Sequence, residues 1–263
     1  SGETIQIPIT TAHGGAALVA EAGTIAASDP AFGQRSLGAY KYGVLIHVAK
    51  ELIDDTAVDL LGYLSRQAGR AVGNAIGQDL VVGNASAKPS GIFQTSTLGV
   101  TGSTGVAGVP DFDDLIDLYY SVIAPYRNSP DAGWLINDTT AGAIRKLKDT
   151  SGRYLWEPSL IPGTPDTILG KPVYTDPYVA ATGVNNKSVI FGDLSAYFVR
   201  LVNGIRFERS DEFAFNTDQT VFRCLVRGDG ILTDQTSAEN AVTRAAIARS
   251  AAESRMNMIA SES

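Results

Sequence analysis

The longest periodic run in the sequence, residues 54–84, constrains the fold more than any other segment. Apolar and small residues recur there at steps of three and four, which places them on one face of a helix: Val58, Leu61, Leu64, Ser65, Ala68, Val72, Ala75, Ile76 and Leu80. We predict that Asp54, Asp55 or Thr56 caps the first turn and that Gly83 ends the helix. At about 1.5 Å per residue the helix would be roughly 40 Å long.

Four glycines interrupt this predicted helix, at positions 62, 69, 73 and 77. Each glycine costs a helix roughly 1 kcal/mol relative to alanine. Two interpretations account for them equally well. Either another backbone or a sheet packs closely against the helix, or this is an ordinary core helix that packs through small residues.

Composition indicates a globular chain and excludes several classes of protein. With 263 residues, of which 44% are hydrophobic and 19% charged, the chain can form one large domain or two smaller ones. No apolar run reaches the roughly 18 residues that cross a bilayer, so we expect a soluble protein without an attached targeting signal. The net charge of −7 argues against a nucleic-acid reader with a basic stripe, but it is compatible with a protein that encloses nucleic acid.

The N-terminal part predicts a strand and then an extended arm. Residues 3–10 alternate apolar and polar side chains, and Pro8 makes this an edge strand. Residues 11–40 are rich in Gly, Ala and Ser, and could form a long hairpin that turns at residues 28–30 and needs another subunit to become ordered. A flexible surface loop is the alternative. Residues 39–49 return to strand alternation and lead into the long helix.

The middle of the chain alternates helices with short strands. Residues 84–108 form a glycine-rich loop, whose spacing matches neither a phosphate-binding loop nor a dinucleotide fingerprint. A helix over 110–123 is capped by Asp111, and its inner face is Leu115, Leu118, Tyr119 and Val122. A buried strand at 132–136 precedes a helix over 139–148, capped by Asn137 or Asp138. The alternation indicates an α+β or α/β subdomain between 109 and 187.

The last third of the chain predicts a sheet followed by a tail. A polar turn and an aromatic strand are expected at 148–155, and a turn into an extended segment at 169–173. Residues 189–200, 204–209 and 219–232 are expected to pair antiparallel as one sheet under the long helix. Residues 236–263 are alanine-rich with a weak apolar stripe. We predict a C-terminal helical arm or tail outside the core.

The search for chemistry yields no predicted catalytic, cofactor-binding or metal site. His13 lies in the glycine-rich arm and is expected to be solvated, whereas His47 is expected to be a packed strand residue. Cys224, the single cysteine, is expected to be a small buried apolar residue. The acid pairs at 54–55 and 113–114 are explained by helix capping. The sequence does not exclude a catalytic carboxylate pair that the fold assembles from distant residues. The absence of a recognisable site nevertheless favours a protein that acts through its surfaces.

In order and spacing, several short motifs resemble the major capsid proteins of tailed bacteriophages. Their Hong Kong 97-like fold is shared with bacterial encapsulin shells, and the resemblance extends to about Gln235. The motifs are Asp79-Leu80-Val81-Val82-Gly83-Asn84, Lys88-Pro89-Ser90-Gly91-Ile92, Lys148-Asp149 with Gly152-Arg153-Tyr154-Leu155, Leu169-Gly170-Lys171-Pro172-Val173, Phe191-Gly192-Asp193 and the strand at 222–229.

The resemblance implies an α+β fold with a long spine helix, a peripheral-domain antiparallel sheet, an axial domain and an extended hairpin loop. It divides the chain into a first strand with the remnant of an N-terminal arm (1–10), an extended loop (11–40), a peripheral domain with the spine helix (41–108), an axial domain (109–187), the peripheral sheet (188–234) and a tail (235–263).

The resemblance also implies a function. Subunits of this kind are structural and not enzymes. They assemble as pentamers and hexamers into an icosahedral shell around double-stranded DNA, without sequence-specific binding, and are joined by a portal and in some phages by cement proteins. The expected location is the virion, assembled in the host cytoplasm, with no membrane partner and no cofactor.

Departures from the family pattern lead to further expectations. The chain begins almost at the first strand, so an N-terminal arm is either removed or missing from this sequence. Some relatives link subunits covalently through a loop lysine, an asparagine and a catalytic glutamate. Here no lysine precedes Lys41, and Leu225 or Val226 stands where the glutamate is expected. We therefore expect no such cross-links. The alternatives are an encapsulin-like compartment shell and, from another class, a small-molecule hydrolase.

Overall fold

A computed structural model of the chain describes residues 2–12, 31–55, 59–102, 109–156, 166–183, 186–233 and 242–247, with single or paired residues between 18 and 29. The strands are β1 (Ile5–Ala12), β2 (Ala31–Leu37), β3 (Tyr40–Ala49), β4 (Thr97–Gly102), β5 (Ala132–Ile136), β6 (Thr167–Ile168), β7 (Lys171–Thr175), β8 (Lys187–Asp193), β9 (Tyr197–Ala214), β10 (Gln219–Leu232) and β11 (Val242–Ile247). The helices are α1 (Lys50–Asp55), α2 (Leu60–Val82), α3 (Ile92–Thr95), α4 (Phe112–Ser121), α5 (Ala124–Arg127) and α6 (Asp138–Arg145).

The chain divides into two compact units. The first comprises Ser1–Ile7, Gln34–Gln94 and Phe198–Ile231, and the second comprises Pro8–Gly33, Thr95–Tyr197 and Leu232–Ser263. The first unit contains a three-stranded sheet in the order β3-β10-β9, whereas the second contains a six-stranded sheet in the order β4-β11-β8-β5-β7-β6.

The long helix α2 covers one face of the three-stranded sheet, as predicted for β10, whereas β3 was predicted only as a strand that leads into the helix. These two strands pair antiparallel from Gln219 opposite Ala49 to Gly228 opposite Tyr40. Because strand side chains alternate between faces, every second residue of the two strands contacts the helix. The cluster so formed contains Ala68, Val72, Ile76, Cys224 and Val226, with Tyr42, Val44, Ile46 and Leu80 packed against it. The other face of this sheet, which we call the open face, carries the odd-numbered residues of β3 and β10.

The predicted N-cap of the long helix is wrong. Asp54 and Asp55 belong to the short helix α1, and Thr56 lies outside the described residues. The helix α2 begins instead after Asp59, whose carboxylate accepts a hydrogen bond from the Gly62 N–H at 2.9 Å. The apolar period continues through both helices, so it does not reveal the break between them.

The predicted end of the helix at Gly83 is confirmed. Its N–H donates to the Asp79 carbonyl at 2.9 Å. A Cβ at Gly83 would lie 2.3 Å from the carbonyl oxygens of both Asp79 and Pro89. Glycine is therefore needed here because the loop that follows folds back closely onto the helix end.

The glycines inside the helix do not serve close packing within the described chain. A Cβ at Gly69, Gly73 or Gly77 would meet no atom within 4 Å, and a Cβ at Gly62 would meet only the capping Asp59. The buried face is also narrower than predicted. Val58 lies outside the described residues, Ala75 is exposed, and Leu61 is 44% exposed.

The second unit has an aromatic core built on β5 and β8. The Trp134 ring lies 4.5 Å from the Phe191 ring, and its Nε1–H donates to the Ile168 carbonyl at 3.0 Å. Leu115, Leu118 and Val122 from α4 and its C-cap are buried in this core, as predicted. The flanking caps are also confirmed, since Asp111 forms a capping box with Asp114, and Asn137 accepts from the Thr139 N–H.

The strands predicted as one antiparallel sheet belong to two different sheets. The segment at 189–200 breaks at Leu194–Ala196, where the Asp193 carboxylate accepts from the Ser195 N–H at 2.9 Å. Before the break, β8 pairs antiparallel with β5 in the second unit. After it, β9 joins the sheet of the first unit. Alternating polarity alone could not distinguish which neighbours each half pairs with.

Two loop predictions need smaller corrections. The predicted aromatic strand at 148–155 is a single bridge between Lys148 and Tyr154. The glycine-rich loop begins as a strand, β4, and residues 103–108 lie outside the described part of the chain. The turn at 169–170 is confirmed. Leu169 and Gly170 both have positive φ, which is typical of the tight turn that joins β6 to β7.

The predicted C-terminal helix is wrong over 242–247, because these residues form β11 inside the second sheet. It pairs parallel with β4 and antiparallel with β8, so that Thr243 lies between Thr97 and Phe191. Alanine favours a helix by only a few tenths of a kcal/mol per residue. Backbone hydrogen bonds to a neighbour on each side outweigh that preference.

We expect β11 to be essential for the stability of the second sheet. A chain that ends at residue 240 lacks this strand, whereas a chain that ends at residue 250 keeps it. The shorter chain leaves backbone groups of the buried strand β8 without partners, so its thermal unfolding midpoint is expected to fall clearly below that of the longer chain. Circular dichroism melting of both measures this. Equal midpoints would contradict the assignment.

Candidate assembly surfaces

The strands β1 and β2 pair with each other as a two-stranded hairpin. This bears out the predicted hairpin in part. The first strand, predicted as a separate element, is itself one arm, whereas Ser28 and Pro30 of the predicted turn lie outside the described residues.

The base of this hairpin is fixed to the sheet of the first unit by two charged side chains. The Arg200 guanidinium donates to the carbonyl oxygens of Glu3, Leu37 and Gly38, at 2.7, 3.0 and 3.1 Å. The Asp229 carboxylate accepts from the Gly38 N–H at 2.6 Å. Hydrogen bonds to charged groups are stronger than neutral ones, so these four contacts hold the base of both arms.

The edge of the same sheet is long and exposed. The strand β9 has 18 residues and lies at one end of the strand order, so its outer N–H and C=O groups face no strand in the described part of the chain. Large apolar side chains along it and in the turn that follows are exposed: Phe198, Val199, Leu201, Ile205, Phe213 and Phe215. An edge of this kind is a template for contact with another chain.

The open face next to this edge contains a cavity of about 300 Å³. Leu45, Phe213 and Val221 line it together with four polar or charged residues, Glu208, Arg209, Ser210 and Arg223. The Phe213 side chain is 70% exposed and its ring lies 6.4 Å from that of His47. The cavity is therefore open to an apolar group from outside the subunit.

One ion pair and one hydrogen bond join the side chains of β9 to those of β10. The Arg223 Nε–H donates to Glu208 at 3.0 Å, and the Thr220 hydroxyl donates to Asp211 at 2.8 Å. The Arg223 hydrogen bond and charge lower the pKa of Glu208, and hydrogen bonds from Arg209 and Thr220 lower that of Asp211. Both carboxylates therefore stay ionised at neutral pH and continue to hold the cross-strand pairs.

A second polar cluster holds the C-terminal end of α2. Asp79 accepts hydrogen bonds from the Tyr42 hydroxyl at 2.9 Å and from the Lys88 Nζ at 3.1 Å. Burial raises the pKa of Tyr42, and the hydrogen bond to Asp79 raises it further, so the phenol remains a donor. A Cβ at Gly91 would lie 2.4 Å from the Gly83 nitrogen. Two of the short motifs in the sequence thus form one tight turn.

The residues considered for chemistry do not converge on a site. His13 lies outside the described residues, and His47 is exposed instead of packed. Cys224 is 1% exposed, as predicted, and burial raises the pKa of its thiol. Within the described chain, no group of three His, Cys, Asp or Glu side chains could hold a metal ion. No helix in these same ranges is long and apolar enough to cross a membrane.

Comparison with known proteins identifies the family. A model of the phage capsid family matches residues 1–240. The chain belongs to the phage capsid family. The family is one of structural shell proteins, and the resemblance drawn from the short motifs is thereby confirmed. A search of curated proteins found no match.

Solved phage and GTA capsids share the fold of this capsid protein. The capsid of an empty GTA particle computed with C5 symmetry is 25% identical with a TM-score of 0.79, covering 94% of this chain and 85% of that one. The capsid of the native GTA particle is 24% identical in sequence, with a TM-score of 0.80 and the same coverage of both chains. The structure from Mycobacterium phage Adephagia is 19% identical in sequence with a TM-score of 0.72, and the match covers 94% of this chain and 86% of that one. The predicted α+β, Hong Kong 97-like fold is confirmed.

Sequence reasoning did not find the residues that anchor the hairpin in the capsid protein. Arg200 and Gly38 are 162 positions apart, and Gly38 and Asp229 are 191 apart. No local pattern links such distant positions. Arg200 and Asp229 each lie in an alternating strand, where a charged residue is typical of a solvent-facing position.

We expect Arg200→Ala to loosen the base of the hairpin without unfolding the sheet. The amide hydrogen of Gly38 and those of residues 3–7 and 34–37 should exchange about tenfold faster, because the carbonyl groups lose a charged donor. Arg206→Ala is the matched control, since it removes an exposed arginine of the same strand. Hydrogen exchange followed by mass spectrometry measures both. Equal exchange in the two variants would show that Arg200 does not anchor the hairpin.

Proposed function

We propose that the chain is the major capsid protein of a tailed bacteriophage. It assembles through pentamers and hexamers into an icosahedral shell that encloses a double-stranded DNA genome. The family match and the similarity to a capsid with C5 symmetry support this proposal. The single observation that carries it is the open face of the first sheet, with its exposed apolar edge beside an anchored hairpin.

The exposed apolar groups supply a driving force for assembly. Burying one phenylalanine or leucine side chain against a partner contributes about 1.5–3 kcal/mol. Phe213 and Phe215 are 70% and 79% exposed in the isolated subunit, so each has most of that area still to bury. Many such contacts, repeated by symmetry, close a shell from individually weak interfaces.

We assign the parts of the fold by analogy with the family. The helix α2 is the spine helix of a peripheral domain, to which we assign 41–108 and 188–234 apart from the strands β4 and β8. Residues 109–187 form the axial domain around five-fold and six-fold centres, together with these two strands of its sheet. Residues 11–40, with the β1 arm, form the extended loop that lies over a neighbouring subunit. The first strand and arm remnant (1–10) lead into it. Residues 235–263 form a tail whose strand β11 completes a sheet.

The charge of the chain suits a shell around DNA. A net charge of −7 gives the subunit little overall attraction for phosphates, each of which would add salt-dependent affinity. The genome can then be packaged and released without sequence-specific contacts. A portal, and in some relatives cement proteins, would complete the virion, which assembles in the host cytoplasm.

Light scattering and negative-stain microscopy of the purified full-length chain, with absorbance at 260 and 280 nm, test the proposal. We expect closed shells or rings of five and six subunits. Shells from infected cells should contain DNA. Shells that hold only protein would favour the encapsulin-like alternative, and a stable monomer with a deep pocket would favour the hydrolase.

The variant Phe215→Ser separates assembly from folding. Phe215 is exposed in the turn after β9, so its replacement should change the unfolding free energy by less than about 0.5 kcal/mol. Particle yield should nevertheless fall severalfold. Asn216→Ser, in the same turn, is the control and should assemble normally. Wild-type yield from Phe215→Ser would remove this turn from the proposed interface.

We also expect no self-catalysed isopeptide cross-links between subunits. Leu225 and Val226 stand where a catalytic glutamate is expected, and a hydrocarbon side chain provides no acid or base. Val226 packs under α2, so it faces away from solvent. Assembled particles should run as a single monomer band on a denaturing gel. A ladder of covalent oligomers would overturn this expectation.

A further inference from the structure

Three cationic side chains gather around one cavity on the first sheet. Lys41, Arg206 and Arg227, one from each strand, line a cavity of about 260 Å³ together with apolar residues such as Val202 and Leu225. Among the residues that the structure describes, no acidic side chain lines this cavity. In a chain with a net charge of −7, a local excess of three positive charges requires a physical explanation.

The strand register makes the arrangement electrostatically unfavourable. Lys41 lies directly opposite Arg227 in the β3–β10 pair. Like charges that lie directly opposite each other destabilise an antiparallel pair. The Arg227 guanidinium is held beside Gly2, where a Cβ added to that glycine would lie 2.5 Å from a guanidinium nitrogen. The register therefore places two positively charged side chains at directly opposite positions of the strand pair.

Two other cations of this sheet have carboxylate partners, since Arg223 pairs with Glu208 and Arg209 pairs with Asp211. Arg200 donates instead to three backbone carbonyl oxygens at the base of the hairpin. Among the described residues, no ion pair within 4.0 Å joins an acid to the three cavity cations. Arg206 contributes to the lowered pKa of Glu208 through its charge, but the hydrogen bond to that carboxylate comes from Arg223.

The backbone of β9 shapes the cavity. Asn203 and Gly204 have φ angles of +58° and +64°, in the left-handed region that interrupts a regular strand. The strand bends at this point, and nothing lies within 4 Å of a Cβ added to Gly204. Lys41 and Arg206 are exposed and Arg227 is half-buried, so an anion from solvent can reach all three cations.

We propose that Lys41, Arg206 and Arg227 form a binding site for a phosphate group. Two guanidinium groups present planar pairs of N–H donors that match the oxygen atoms of phosphate, and the lysine adds a point charge. The bound anion would also remove the repulsion between Lys41 and Arg227. The site lies on the open face that the proposed function also uses, but its phosphate affinity depends on the three cations and not on the exposed apolar side chains of the edge, so phosphate binding and assembly can be tested separately.

Titration of the purified full-length protein with inorganic phosphate tests this site. In phosphate-free buffer, calorimetry should give saturable binding of one phosphate per chain. Phosphate should raise the unfolding midpoint more than sodium chloride of equal ionic strength. Arg227→Gln and Arg206→Gln should each weaken binding about tenfold. Arg209→Gln, which removes an acid-paired arginine from the same sheet, should bind like the wild type.

The unfolding midpoint of the variant Lys41→Gln, measured with and without phosphate, distinguishes loss of the site from general destabilisation of the fold. Without phosphate its unfolding midpoint should equal or exceed that of the wild type, because a repulsive pair is lost. With phosphate it should gain less stability than the wild type.

A second arm of the titration distinguishes the source of the phosphate group. If a short DNA duplex binds although inorganic phosphate does not, and if the Arg227→Gln variant loses this DNA binding, the site is supported and its ligand is a phosphodiester. Absence of binding in both arms, equal binding in the variants, or stabilisation matched by sodium chloride would overturn the proposal.

Discussion

The packing of one helix on one face of a three-stranded sheet is the constraint on which the first unit depends. Ala68, Val72 and Ile76 are small enough to bring α2 close to Cys224 and Val226, and so to exclude water from that face. A single helix cannot cover both faces of a sheet. Within the first unit as the structure describes it, the opposite face therefore keeps exposed apolar and charged groups, and these are available for contacts with a neighbouring subunit.

The contacts around this layer divide into rigid anchors and open surfaces. Asp79 holds the end of α2, and Arg200 with Asp229 holds the base of the hairpin, all through hydrogen bonds to charged groups. These anchors occur where distant parts of the chain meet. Within the described ranges, the outer side of the exposed edge β9 has no such anchor. A subunit of this kind can keep its own shape while its edges adapt to neighbours in different positions of a shell.

Net charge and local charge lead to different conclusions about this protein. The acidic total indicates weak attraction for DNA as a whole, yet Lys41, Arg206 and Arg227 form a strongly positive cavity. Long-range attraction depends on the sum of charges, but recognition of one anion depends on those within a few ångströms. The net charge of the chain therefore indicates how strongly a charged partner is attracted at long range, but it does not reveal local binding sites.

Much of the second unit could be predicted because its signals are local. The Asp111 capping box, the strand at 132–136 and the Asn137 cap each depend on a few neighbouring residues, and the structure contains all three. The start of α2 was missed because two helices share one apolar period. The family was predictable from short turns such as 83–91, whose close backbone approach tolerates few sequences.

Local patterns were enough to predict most individual elements, the buried cysteine and the family resemblance, since helix caps, tight turns and alternation act over a few residues. Contacts between distant segments were needed to show that 242–247 is a strand, that 189–200 divides between two sheets, and that Arg200 holds the hairpin. The tertiary structure also decided that three cations meet at one cavity. Each of these strand pairings and side-chain contacts involves a residue far away along the chain. Contacts at such a sequence separation produce no periodic pattern from which they could be predicted.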